Sequence, residues 1–233
     1  MDDSHRADPI NKAKELLRGE AYGDAETLLS ELIRDIESKL GEEAPELITP
    51  LYLYAKSISK QHPWNVLPPN ERAALERALR IAVALHGEES PRTKNLRETL
   101  AVCLDAGGET ALAATHMAIV VRLAERVHGD GVLLAHALNG LADMLLRLNR
   151  FEEALATYTR AFSMAGDRGH ELMDFGILWG QGRCLIGMGR HADAIPFLER
   201  ALGWCLQTFG ERNRVTVEVR DWLERARRGD ADS

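Results

Sequence analysis

Apolar positions recur along this chain at helical spacing, in runs separated by short turns that carry glycine or proline. Ile10, Ala13, Leu16 and Leu17 predict a short helix that Pro9 opens and Gly19 ends. Tyr22, Ala25, Leu28, Leu29, Leu32, Ile33 and Ile36 predict a longer partner stopped at Gly41. The next run, Leu47, Leu51, Tyr54, Ala55 and Ile58, meets Pro63, Pro68 and Pro69, which no helix interior accepts. Asn70 is expected to cap the following helix, marked by Leu75, Ala78, Leu79 and Ala82. Within the proline-bearing connection, Trp64 is either a plug over the helix ends or an exposed binding anchor. Further helices are expected at about 91–106, 109–127, 131–165 (as a pair), 170–187 and 191–208. Val215, Val219, Trp222, Leu223 and Ala226 place one last amphipathic helix at about 213–228. Residues 1–8 and 229–233 read as loose polar tails.

The stretch Leu138–Phe162 shows the unit most clearly. Leu138, Leu141, Ala142 and Leu145 share a face, Asn149-Arg150 breaks the pattern, and Phe151 opens a second run carrying Ala154, Tyr158 and Ala161. Two helices joined by a tight turn, with alanines at their crossing, cannot bury an apolar face alone. The same grammar recurs. Glu76-Arg77-Ala78-Leu79, Thr159-Arg160-Ala161-Phe162 and Glu199-Arg200-Ala201-Leu202 match in position, and Gly41, Gly87, Gly129 and Gly210 recur at unit ends. Such self-similarity means stacked helix pairs.

These residues resemble the tetratricopeptide repeat, with Ala142 in the place of its glycine and Leu145 in the place of its tyrosine. Leu85-His86-Gly87 and Val127-His128-Gly129 lie 42 residues apart, longer than the ~34 of the standard repeat. That period, with Leu40-Gly41-Glu42-Glu43-Ala44-Pro45 and His86-Gly87-Glu88-Glu89-Ser90-Pro91, resembles the kinesin-light-chain-like variety over roughly residues 9–210. The expected fold is all-α, a right-handed α-α superhelical solenoid of about five such pairs plus a C-terminal capping helix. The units are expected at about 9–41, 46–87, 91–129, 131–167 and 170–210, as one solenoid over 9–228.

Chemistry changes this picture little. The net charge of −7 argues against nucleic acid, because phosphate binding needs a basic surface. Cys103, Cys184 and Cys205 lack metal or disulfide spacing and fall in apolar helical patterns, so buried free thiols are expected. With no secretory leader and no apolar run near the ~18 residues of a membrane span, a cytoplasmic protein is expected. Gly180-Gln181-Gly182 followed by Gly187-Met188-Gly189 resembles a phosphate loop, but no strand precedes it, and Gly182 sits where helices cross. His86, Glu88, Glu89, His128, Asp130 and His170 lie at turns without the three or four converging ligands a metal needs. No catalytic constellation argues for an enzyme, and no cofactor or metal is expected.

In the resembled family the first helix of each pair lines a concave groove that takes a peptide or protein. Projecting those helices gives the groove candidates Tyr52, Lys56 and Lys60, then Asn95, Glu98, Val102 and Asp105. His136, Asn139, Asp143 and Arg147 follow, with Trp179, Arg183 and Ile186 from the fifth unit. Amides pair with peptide backbones, cations hold carboxylates, and Trp179 is either an aromatic anchor or a residue packed between units. The carboxylate-clamp subtype is not matched, since Glu98, Asp105 and Asp143 oppose such a ligand. The function implied is a non-catalytic binding module or adaptor for a peptide or protein partner. The alternatives are a self-association module, which would make a homo-oligomer, and a peptide-sensing regulator acting through a partner. Neither nucleic acid nor membrane is expected as a partner.

Overall fold

The computed structural model describes residues 8–62, 68–126, 131–165 and 171–229. They form eleven α-helices: α1 (Pro9–Arg18), α2 (Tyr22–Leu40), α3 (Ile48–Ser59), α4 (Pro69–His86), α5 (Lys94–Ala106) and α6 (Thr110–Arg126), then α7 (Gly131–Arg147), α8 (Phe151–Ala165), α9 (Glu171–Gly187), α10 (His191–Thr208) and α11 (Arg214–Arg228). Two compact units divide between Ile119 and Val120, within α6. In the first, α1 packs on α2, α2 and α4 on α3, and α5 on α4. In the second, α8 packs on α7, α9 on α8, α10 on α9 and α11 on α10.

The turns inside the pairs share one construction. Ala21, Glu109, Arg150 and Arg190 donate their backbone N–H to the carbonyls of Leu16, Leu104, Leu145 and Leu185 at 2.8–2.9 Å. The residue before each donor has positive φ: Glu20 (60°), Gly108 (84°), Asn149 (57°) and Gly189 (73°). This is the left-handed helix stop that satisfies the last carbonyls while reversing the chain. Gly41, Gly87 and Gly210 likewise have positive φ at the ends of the second helices. After two of these, Pro45–Leu47 and Pro91–Thr93 make a 3₁₀ turn leading into α3 and α5.

Small residues bring the helices together. Ala25, Ala78, Ala113, Ala142, Ala154, Ala161, Ala194 and Ala201 are fully buried. In the first unit Ala13, Ala25, Leu29 and Leu53 form one cluster. In the second, Leu185 and Ile186 of α9 meet Ala194 and Leu198 of α10 and Leu223 and Ala226 of α11. Each leucine buried this way stabilises the fold by about 1.5–3 kcal/mol. The α11 cap begins at Asn213, whose side chain accepts from Val215 N–H at 2.9 Å. Its inward stripe adds Thr216 to Val219, Leu223 and Ala226.

One detail departs from the sequence reading, and two others were not anticipated by it. Asn70 lies inside α4 rather than capping it; Pro68 holds the cap position and Pro69 the first helical position, where a missing N–H costs nothing. Pro196 sits within α10. Its ring removes the bond to the carbonyl of Ala192, and both residues are exposed, so water reaches that oxygen. Arg97 is buried at 3% exposure, donating to the carboxylate and the carbonyl of Glu88. The connection around Trp64, His128 with Asp130, and His170 lie outside the described residues.

Candidate functional site

In the first unit the exposed cations of α1 and α3 meet at a cavity of about 360 Å³. Lys14, Leu17 and Arg18 of α1, Tyr22 of α2, Leu53 and Lys56 of α3, and Lys60 just past its end line it. Lys56 also lies over the ring of Tyr52, its Nζ 6.0 Å from the centroid. Sequence projection reached Lys56, Lys60 and Tyr52 but not Lys14, Arg18 or Tyr22. The signal was present: Lys14 and Arg18 stand one helical turn apart, as Lys56 and Lys60 do. On α5, Asn95 is exposed and Glu98 accepts from Lys94 at 3.0 Å. Val102 is 59% exposed beside them, and Asp105 accepts from the Thr110 hydroxyl at 2.9 Å.

In the second unit α7 packs against α9. Asp143 accepts the hydroxyl of Tyr158 at 2.5 Å and lies 3.5 Å from the Asn139 amide nitrogen. Burial, then the Asp143 carboxylate, push the Tyr158 hydroxyl far above its ordinary range, so it remains a neutral donor. Its ring occupies the space above Gly180, where an added Cβ would stand 2.2 Å from Cζ. On α9, the Arg183 guanidinium carbon lies 5.4 Å from the ring centroids of both Trp179 and Trp222. Trp179 continues into Phe175 at 5.7 Å and Phe175 into Trp204 at 4.9 Å, both stacked. The Asn139 Oδ1, Trp179 Nε1 and Arg183 Nε atoms are buried without a hydrogen-bond partner among the described residues. His136 and Arg147 are exposed on α7, and Ile186 is buried in the core.

Three of the four glycines of α9, Gly180, Gly182 and Gly187, serve packing. A Cβ on Gly182 would collide with Leu198, and one on Gly187 with Phe151. Gly180 to Gly187 are helical and Gly189 lies in the turn before α10, so a helix rather than a strand leads into that turn and the setting a phosphate loop requires is missing. All three cysteines are free and buried. Burial pushes the Cys103 and Cys184 thiols up to about 12, leaving little thiolate near neutrality. Among the described residues no three of His, Cys, Asp or Glu gather as metal ligands, and no helix is long and apolar enough to cross a membrane.

Residues 108–167, covering α6 to α8, match the family model of the tetratricopeptide repeat. No curated protein matches the chain in sequence. Among solved structures, a kinesin-light-chain-like protein of Podosopora anserina with nearly identical TPR-like repeats aligns at a TM-score of 0.69 and 15% identity, over 88% of this chain and 96% of that one. BtubC (BKLC) from P. vanneervenii aligns at 0.68 and 16%, over 87% of this chain and 80% of that one. Aspartyl phosphate phosphatase F from Bacillus subtilis aligns at 0.53 and 12%, over 98% and 74%. Residues 108–167 thus match the tetratricopeptide repeat, and the chain is an all-α protein of sequentially paired helices, similar in fold to kinesin-light-chain-like repeats.

Proposed function

We propose that this protein is a non-catalytic interaction module that holds a peptide or protein segment on the first helices of its pairs. Tetratricopeptide repeats generally mediate protein–protein interactions, and the fold is typically non-catalytic. The observation that carries the reading is the unspent hydrogen-bonding capacity of α7 and α9. One amide oxygen, one indole N–H and one guanidinium N–H there have no partner among the described residues. Leaving such groups buried and unpaired costs roughly 1–3 kcal/mol each, which small side-chain rotations onto a bound backbone would recover. Asn139 pairs with a backbone of any sequence, Arg183 fixes a carboxylate, and Trp179 supplies a flat apolar face. Tyr52, Lys56, Lys60, Asn95 and Glu98 extend the same role to the first unit, and His136, Asp143 and Arg147 flank it in the second.

Affinity capture from lysate of the source cells tests this, comparing the native chain with Asn139→Ala/Arg183→Glu, confirmed to melt normally. The expected result is one or more proteins retained by the native chain and at least about tenfold depleted with the variant. Equal retention by both chains overturns the assignment to α7 and α9. Retention of this chain alone, with a mass that rises with concentration, replaces it with self-association.

A further inference from the structure

We infer that a cavity between α9 and α10 in the second unit binds a free amino acid with an apolar side chain. Its volume is about 420 Å³, at the small end of the roughly 300–1,000 Å³ of ligand pockets. Neither Asn139, Trp179 nor Arg183 lines it. The arginine on its wall carries the argument. Arg77, Arg160 and Arg200 hold the same place in three second helices, each followed by alanine and a large apolar residue. Arg77 of α4 reaches back to Glu37 of α2, and Arg160 of α8 reaches back to Glu125 of α6. Arg200 of α10 meets Phe162 of α8 where the others meet an acid, its guanidinium carbon 5.7 Å from the ring centroid. A guanidinium that rests its face on a ring keeps its in-plane N–H donors for another acceptor. The position that ties two second helices together elsewhere lines a cavity here.

The remaining walls define what that acceptor carries. Phe175 and Trp204 stack at 4.9 Å and, with Leu178, give the cavity an apolar side. Asp174 adds a carboxylate. Helices α9 and α10 run antiparallel from the short turn between them, so Leu178 stands level with Arg200 and Asp174 with Trp204. Cation and acid are thus offset by about one helical turn, roughly 5–6 Å, beside an aromatic wall. A zwitterion matches this order, with its carboxylate on Arg200, its ammonium toward Asp174 and its side chain against Phe175 and Trp204. A peptide segment brings neutral amides in place of both charges and leaves that match unmade. Gly203 completes the cavity. Inside a helix glycine is less stable than alanine, yet no atom lies within 4 Å of the place a Gly203 Cβ would take. Gly180, Gly182 and Gly187 make room for side chains of their own chain, whereas the room at Gly203 stays open to the cavity.

Isothermal titration calorimetry of the full chain with L-phenylalanine tests the site. L-Phenylalanine is expected to bind at least about tenfold more tightly than glycine, which lacks the side chain. The same margin is expected over phenylalaninamide and 3-phenylpropanoate, each of which lacks one of the two charges. Arg200→Gln is expected to weaken L-phenylalanine about tenfold and phenylalaninamide less than about twofold, a split that general loss of structure does not produce. Gly203→Leu, which fills the cavity, is expected to abolish binding without lowering the urea midpoint. Arg190→Gln, which breaks an exposed pair with Asp193 outside the cavity, is expected to leave the affinity within about twofold. Absence of binding by L-phenylalanine, or unchanged binding in Gly203→Leu, overturns the inference. N-acetylphenylalaninamide binding as tightly as the amino acid overturns the zwitterion assignment, in favour of a side chain presented by a bound polypeptide.

Discussion

Ala154 and Ala201 are fully buried at the points where helices of the second unit cross, and their methyl groups set how closely the backbones approach. Leucine at either site adds three carbons where no room exists, so Ala154→Leu and Ala201→Leu are each expected to cost about 1–3 kcal/mol. Arg150 holds Glu153 one turn along α8, with both side chains at least half exposed. Arg150→Ala is accordingly expected to stay within about 0.5 kcal/mol. Urea denaturation compares them, and equal effects would overturn the packing described. Glu71 presents a different residue-scale test. It is 5% exposed in the first turn of α4, with Ser59 and Cys103 as side-chain partners and His62 nearby. Burial, the largest influence, raises its pKa above the ordinary carboxylate value. Between the unfolded and folded pKa values the folded chain then binds more protons than the unfolded one. The stability this confers is fully present below the unfolded pKa and is lost as pH rises through the folded value. Glu71→Gln removes the titration, so the native chain is expected to lose stability relative to the variant as pH rises above the ordinary carboxylate value of about 4. A difference that does not change with pH would contradict it.

At the scale of helices and turns, one stop sequence is reused with different residues. Glycine occupies the left-handed position in two of the four turns, asparagine in the third and Glu20 in the first. Glutamate pays a steric penalty there of about 1–2 kcal/mol that glycine does not, partly offset by the greater freedom of glycine in the unfolded chain. Glu20→Gly is therefore expected to stabilise by up to about 1 kcal/mol, read as a raised urea midpoint with unchanged slope. A lowered midpoint would show that the Glu20 side chain makes a compensating contact. The ends of helices were the most legible feature of the sequence, because Gly19, Gly41, Gly87 and Gly210 mark them directly. Asn70 misled for a physical reason: it is a good cap by type, but two prolines before it already hold the extended-to-helical backbone transition. Pro196 was unmarked because an exposed proline near a helix start leaves the apolar periodicity intact.

Across the molecule, similar folds carry unlike roles, as a kinesin-light-chain-like protein and a phosphatase on related scaffolds illustrate, so the role of this chain rests on side chains rather than topology. The order of helices, the alanine crossings, the buried thiols and the α11 cap were all readable from one dimension. Each depends on contacts between neighbouring segments, and the 3.6-residue period records which face turns inward. The candidate sites were only half readable. Lys56, Lys60, Asn139, Trp179 and Arg183 follow from projecting single helices. Helix periodicity is silent about which face of one helix meets which face of another, so the pairing of Lys14 and Arg18 with Lys56 and Lys60 was invisible. The same holds for the Trp222 ring on Arg183 and for the Tyr158 hydroxyl on Asp143. Asp143 reads from sequence as a charge facing a ligand; packing of α8 against α7 instead gives it an internal donor. Local pattern determined the helices and their inward faces, because backbone hydrogen bonding and burial act over one or two turns. Packing between helices assembled the cavity and the unpaired groups, because those depend on distances across tens of residues that no local period encodes.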